Sequence, residues 1–282
     1  MRIGIGSYAY RWGIGRGAHV PARPLTPIDL LDKAVRHGVD LVQYADNLPL
    51  DRLSSGELAA LAAAAGERGI GIELGAEGLN RDVLGSYLEI ARVLNAPLVR
   101  VAPSAADAGK DNAAIAAEIA AVLPGYADQQ VTIAVENHFH VPSPRLVDLV
   151  QQVDNPRFGV CLDVANSIAC AEWPKQTIAL LAPFAVNLHL KDYRLVLDPH
   201  GVGLSFTGVP LGQGLTDIEG VFAALGAAGR EVDVILEHWL PFSGDEAETL
   251  RLEDEWLEIS IAALRDRFAR KGTAPTAKDD AK

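Results

Sequence analysis

The feature that most constrains this chain is a strict alternation of short apolar runs with longer amphipathic ones, repeated eight times. Candidate strands fall at 2–8, 40–45, 70–75, 97–102, 131–137, 158–164, 185–191 and 233–238. Helical patterns lie near 26–38, 54–68, 79–94, 110–123, 142–152, 174–182, 216–228 and 245–270. Apolar runs such as Val131–Val135 fit strands covered on both faces, as parallel sheets require. Eight β–α pairs predict a parallel sheet, and eight is the number that closes a (β/α)8 TIM barrel. A doubly wound open sheet is the alternative. However, the stretch after the first strand, YAYRWGIGRG, lacks the spacing of a glycine-rich phosphate turn. The expectation is therefore an α/β chain forming a single-domain TIM barrel over 1–270, with 271–282 a polar, disordered tail.

Local signals support these boundaries. Thr26-Pro27 and Ser143-Pro144 read as N-caps followed by proline, while Gly38 and Gly69 read as helix stops. The segment YRLVLDPHGVGLSFTGVPLGQGLTD is too long for a tight connection, and its place after the seventh strand lets it cover a site on that face.

Four strand-like segments in the second half, VTIAVENH, FGVCLDVAN, AVNLHLKD and DVILEHW, each end in a metal-type ligand. The residues are Glu136, Asp163, His189 and Glu237. In a barrel the loops after the strands build the active site at the C-terminal face, so all four converge on one half of the rim. Three carboxylates and one imidazole suit one divalent ion, with Mn preferred and Mg, Co and Zn also compatible. The opposite half of the rim offers Tyr8, Trp12, Tyr44, Asp46, Glu73 and Arg100 to a substrate. Tyr8 and Trp12 suit a sugar carbon face. Glu73 and Arg100 either pair with each other or contact substrate, and an unpaired Arg100 would point to a carboxylate or phosphate. His138, two residues beyond Glu136, is a candidate acid. Lys191 shares a strand face with His189, and Arg194 lies within reach of a substrate oxygen. Alternation turns His238 away from the site.

Composition narrows the partners. A net charge of −12 argues against a nucleic-acid backbone as partner. No apolar stretch is long enough for a membrane helix, and MRIGIGSYAY lacks the layout of a signal peptide. Two cysteines, Cys161 and Cys170, fit a reducing cytoplasm, with Cys161 a packing residue. A homo-oligomer is left open.

The segments VENH, CLDVANS, LHLKDYR, GVPLGQGLTD and ILEH resemble the xylose isomerase-like barrel superfamily, the sugar phosphate isomerase/epimerase group, over nearly the whole chain. The opening GIGSYAYRW is similar to that of ketose 3-epimerases, which place an aromatic pair beside the substrate. The resemblance implies that Glu136, Asp163, His189 and Glu237 hold one divalent ion and that Glu136 and Glu237 form the acid/base pair. Ketose epimerases carry a His three residues after the metal Asp. Here that position is Asn166, which donates a hydrogen bond but transfers no proton at neutral pH, and His138 is the candidate to supply the role.

A chelated α-hydroxy ketone has an acidified C–H and a stabilised enediolate. Proton return to the opposite face is epimerisation, and return to the neighbouring carbon is isomerisation. The expected activity is thus metal-dependent isomerisation or epimerisation of a small ketose, keto-sugar or sugar acid. The alternative is a lyase that dehydrates an inosose-like ketone or decarboxylates a 3-oxo sugar acid. An abasic-site endonuclease fits less well, because QYADN, ELGAEG and RVAPS lack the His ligands of a trinuclear cluster. A non-catalytic sugar-binding barrel is the remaining reading.

Overall fold

The structure is a computed structural model that describes residues 1–272, with side chains through Ala269. Eight parallel strands close into a barrel: β1 (Ile3–Gly6), β2 (Leu41–Tyr44), β3 (Gly71–Glu77), β4 (Leu98–Ala102), β5 (Thr132–Glu136), β6 (Phe158–Asp163), β7 (Ala185–Leu190) and, after two further strands, β10 (Val234–Leu236). Each barrel strand pairs with its sequence neighbour in the ring, and β10 closes onto β1 through Ile3–Val234. The strands are short and aliphatic, and the helices between them cover their outer faces, as the eightfold alternation predicts.

The helix starts follow local chemistry. The helix Pro27–His37 opens with a capping box in which Thr26 accepts from the Asp29 amide and the Asp29 carboxylate accepts from the Thr26 amide. Gly38 and Gly69 end their helices at φ values of 63° and 65°, a region that glycine enters without steric penalty. The second expected cap differs. Pro142 is the N-cap of the helix Ser143–Val153, so Ser143 is already helical. Its amide and hydroxyl both donate to Glu172 instead.

The long segment after β7 is not an irregular loop. It forms an antiparallel hairpin, β8 (Asp192–Leu197) and β9 (Leu204–Val209), outside the barrel. Asp192 then organises the GQG turn beyond it: its carboxylate accepts from the amides of Gly212, Gly214 and Thr216. A side chain on Gly214 would overlap that carboxylate. The last helix runs Glu246–Gly272. Residues 273–282, nearly all of the tail expected to be disordered, lie outside the described residues.

Candidate metal centre and active site

Register brings the four strand-end ligands together. Asp163, the last residue of β6, lies directly across from His189 on β7, and Glu136 ends β5 beside Cys161. Glu237 follows β10, and its amide donates to Leu190 O at 3.1 Å. Candidate ligand atoms of Glu136, Asp163, His189 and Glu237 all lie within 4.8 Å of one another, and all four residues are buried. His189 Nδ1 is 2.9 Å from Glu136 Oε1, 3.3 Å from Glu237 Oε1 and 4.0 Å from Asp163 Oδ2. Gly6 leaves room for this packing, since a Cβ there would stand 3.3 Å from Glu237 Oε1.

A polar layer below the cluster sets the imidazole. Glu73 Oε2 accepts from Gln43 Nε2 and Asn187 Nδ2, both at 3.0 Å. Because the Gln43 amide nitrogen is committed to a carboxylate, its oxygen faces His189 Nε2 at 2.7 Å. His189 therefore donates from Nε2 and turns Nδ1 toward the carboxylates, whose charge, against burial, raises the imidazole well above its ordinary value. Nδ1 is the nitrogen that would ligate a metal once its proton is displaced. Burial raises the Glu73 carboxyl to about 7.

Two fixed cations hold the carboxylates. The Arg100 guanidinium meets Glu136 Oε2 at 2.5 Å and Asp46 Oδ1 at 3.0 Å. Lys191 Nζ lies 2.8 Å from Asp163 Oδ2 and 2.7 Å from Glu237 Oε2. Burial alone would raise the Glu136 carboxyl, but Arg100 and His189 outweigh it and hold it down at about 2. For Glu237 the opposing influences are His189 and Lys191, and the net direction is again downward. Asp163 is raised, because burial exceeds the pull of Lys191.

The donor set suits a divalent ion. Glu136 Oε2, Asp163 Oδ2 and Glu237 Oε1 are buried, face the point where the four residues converge, and are met there by Arg100, Lys191 and His189, so the cluster gathers hard oxygen donors and one imidazole at a single place. Cys161 also lies near Glu136 and His189. Burial pushes its thiol up to about 11. Cys161 is a packing residue beside Asn187, as its sequence context implies.

A cavity of about 290 Å3 opens above the cluster. Of the expected substrate residues, Tyr8, Arg100, Asn166 and Lys191 line it, together with His138. Tyr8 donates to Asp46 Oδ2 at 2.7 Å, and Asn166 donates to Glu136 Oε1 at 3.2 Å. His138 Nδ1 is buried without a hydrogen-bond partner, and burial lowers its imidazole below the usual histidine range.

Other expectations are corrected. Trp12 does not line the cavity: its indole donates to Leu240 O at 2.8 Å and packs against His19 and Phe242, and Trp239 takes the wall position instead. Arg194 is exposed on the hairpin strand β8, which carries it away from the cavity. Tyr44 is buried and donates to Pro27 O. Glu73 and Arg100 do not pair with each other, since each has closer partners on other strands. His238 contributes to the cavity wall, although its Nε2 contacts Ser260 and its ring meets Trp256 edge-on. Burial lowers that imidazole to about 4 and keeps it neutral. Sequence reasoning missed Gln43, Trp239, Arg11 and Arg16. The one available signal was Gln43, a lone polar residue inside the apolar run LVQY.

Among the described residues no helix is long and apolar enough to cross a membrane. A profile of the xylose isomerase-like TIM barrel family matches residues 31–260. The chain is 32% identical to a 3-oxo-isoapionate decarboxylase of Pectobacterium atrosepticum over 95% of this chain and 96% of that one. The fold is similar to a D-psicose 3-epimerase from Clostridium cellulolyticum H10, with a TM-score of 0.69 at 16% identity, covering 94% of this chain and 98% of the other. It is also similar to a xylose isomerase-like protein from Mycobacterium smegmatis in complex with magnesium, with a TM-score of 0.64 at 16% identity, covering 93% and 97%. The chain belongs to the xylose isomerase-like TIM barrel family.

Proposed function

We propose that this protein is a divalent-metal-dependent lyase that decarboxylates a 3-oxo sugar acid. The carrying observation is that both glutamates needed as proton carriers for epimerisation are tied to fixed cations, Glu136 to Arg100 and Glu237 to Lys191. Epimerisation needs two groups that take up and return a proton on opposite faces of one carbon. Loss of CO2 from a β-keto acid needs no C–H abstraction, only an electron sink at the ketone and one proton for the product. Asn166 in place of a histidine removes another proton carrier, while His138 remains on the cavity wall. Identity of 32% along nearly the full length of a named decarboxylase supports the same reading.

Glu136, Asp163, His189 and Glu237 would hold one divalent ion. When bound, it supplies Lewis-acid polarisation of the substrate ketone. The chain's own residues do the rest. Gln43 fixes the His189 tautomer. Arg100 and Lys191 keep the carboxylates ionised, and Tyr8 and Asn166 offer polar contacts to substrate hydroxyls. His138 delivers a proton to the carbon that has lost CO2. The reaction balances as the carboxylate of the 3-oxo acid plus one proton giving a ketone and CO2.

The test supplies 3-oxo-isoapionate, with the metal-loaded protein, in D2O. Stoichiometric CO2 and one deuterium in the product are expected. Epimer formation with the carbon skeleton intact, and no CO2, would return the assignment to the epimerases.

A further inference from the structure

Four cations line the cavity, and two of them are unmatched by the protein. Arg100 is balanced by Asp46 and Glu136, and Lys191 by Asp163 and Glu237. Arg11 and Arg16 also line the cavity, yet neither makes an ion pair among the described residues. Arg11 Nε is buried and has no hydrogen-bond partner. Burial and the neighbouring Arg16 both act to lower the Arg11 guanidinium.

The surroundings do not supply the missing anion. Glu253 approaches this segment, but its two oxygens accept from the amides of Trp12 and Gly13, and burial raises its carboxyl to about 8. Glu77 is an exposed acid on the rim and pairs with neither arginine. The loop is nonetheless well built. Glu253 anchors its start, Arg16 and His19 exchange backbone hydrogen bonds at 2.7 and 3.0 Å, and the Arg11 guanidinium lies 4.7 Å from the centre of the Trp12 ring. Stacking and anchoring reduce the conformational freedom lost when a ligand binds.

We infer that Arg11 and Arg16 form a carboxylate-binding subsite, which makes the cavity selective for sugar acids over neutral ketoses. This rests on the proposed decarboxylation and names the substrate class it requires. Two guanidiniums match a carboxylate's paired oxygens, with Arg11 half-buried in the wall and Arg16 reaching in from the exposed rim. The role is capture and orientation. The arginines act on the bound acid before CO2 leaves, so their loss raises KM more than it lowers kcat.

The experiment compares binding of threonate and threitol, which differ at one terminus as carboxylate and alcohol, by calorimetry on metal-loaded protein. Erythritol 4-phosphate is the third probe. The native chain should bind threonate more tightly than either of the others. Arg11→Gln and Arg16→Gln should each weaken threonate about tenfold and leave threitol unchanged. Arg16 is exposed, so its variant keeps the test readable if Arg11→Gln fails to fold. Threonate binding that is unchanged in Arg16→Gln and in any folded Arg11 variant overturns the subsite. Tighter binding of the phosphate overturns its assignment to carboxylates. CO2 release without arginine dependence defeats this inference alone. Arginine-dependent threonate binding without CO2 release defeats only the assigned reaction.

Discussion

Lys191 Nζ stands 2.7 Å from Glu237 Oε2 inside the ligand cluster, so a buried ammonium fixes a carboxylate that an epimerase would need free. Burial disfavours the ammonium, but Asp163 and Glu237 outweigh it and raise Lys191 above its ordinary value. Lys191→Met should therefore keep the bound metal while lowering kcat/KM for decarboxylation at least about tenfold, or ~1.4 kcal/mol. Metal analysis beside steady-state kinetics checks both halves. Unchanged turnover would remove Lys191 from the machinery.

Arg100 makes the second clamp, and it is one of the largest fully buried side chains. Arg100→Met leaves Glu136 and Asp46 facing an apolar group, and breaking a buried pair typically costs about 3–5 kcal/mol. A bound divalent ion offsets part of the exposed charge on Glu136. Thermal unfolding should show a large loss for the metal-free variant and a greater rise with added Mn than the native chain shows.

His138 differs from the ligands because its Nδ1 is unpartnered. His138→Gln should leave metal content unchanged and reduce kcat by about 10²–10⁴, the usual range for a general acid or base. Loss of metal together with activity would instead make His138 a structural support of the cluster.

Glu73 gives a pH signature below the site. Its carboxyl lies near 7 when folded, against an ordinary 4.5, and burial is the cause. A raised carboxyl favours the folded state when protonated, so this contribution is full below about 4.5 and is lost as pH rises through about 7. Glu73→Gln can still accept from Gln43 and Asn187. Its melting temperature relative to the native chain should climb between these pH values and then level off. A constant difference across that window would contradict the assignment.

The barrel and the convergence of Glu136, Asp163, His189 and Glu237 were legible because both follow from periodicity. Alternation locates the strands, and placement at strand ends locates the rim. The ion pairs were not. Arg100 on β4 finds Asp46 beyond β2 across 54 positions, a contact over the intervening strand β3 that no local pattern reports. Arg11 opens the four-residue helix Arg11–Ile14 and Arg16 follows in a glycine-rich turn, a stretch too short for periodicity to report, so their approach to the cavity came from backbone geometry. Trp12 and Trp239 exchange roles for a related reason. Both are aromatic residues just past barrel strands, and only the direction of the chain after β1 and β10 decides which faces the cavity. The hairpin β8–β9 was readable in principle, since LVL and LSF flank a glycine-rich turn.

The central claim is that Glu136, Asp163, His189 and Glu237 hold one divalent ion on which the reaction depends. Metal analysis of the purified chain beside Asp163→Asn tests it most directly, with CO2 release measured before and after chelation. About one ion per chain is expected in the native protein, little in the variant, and decarboxylation that stops with chelator and returns with Mn or Mg. Full activity after chelation, or equal metal in Asp163→Asn, would contradict the claim.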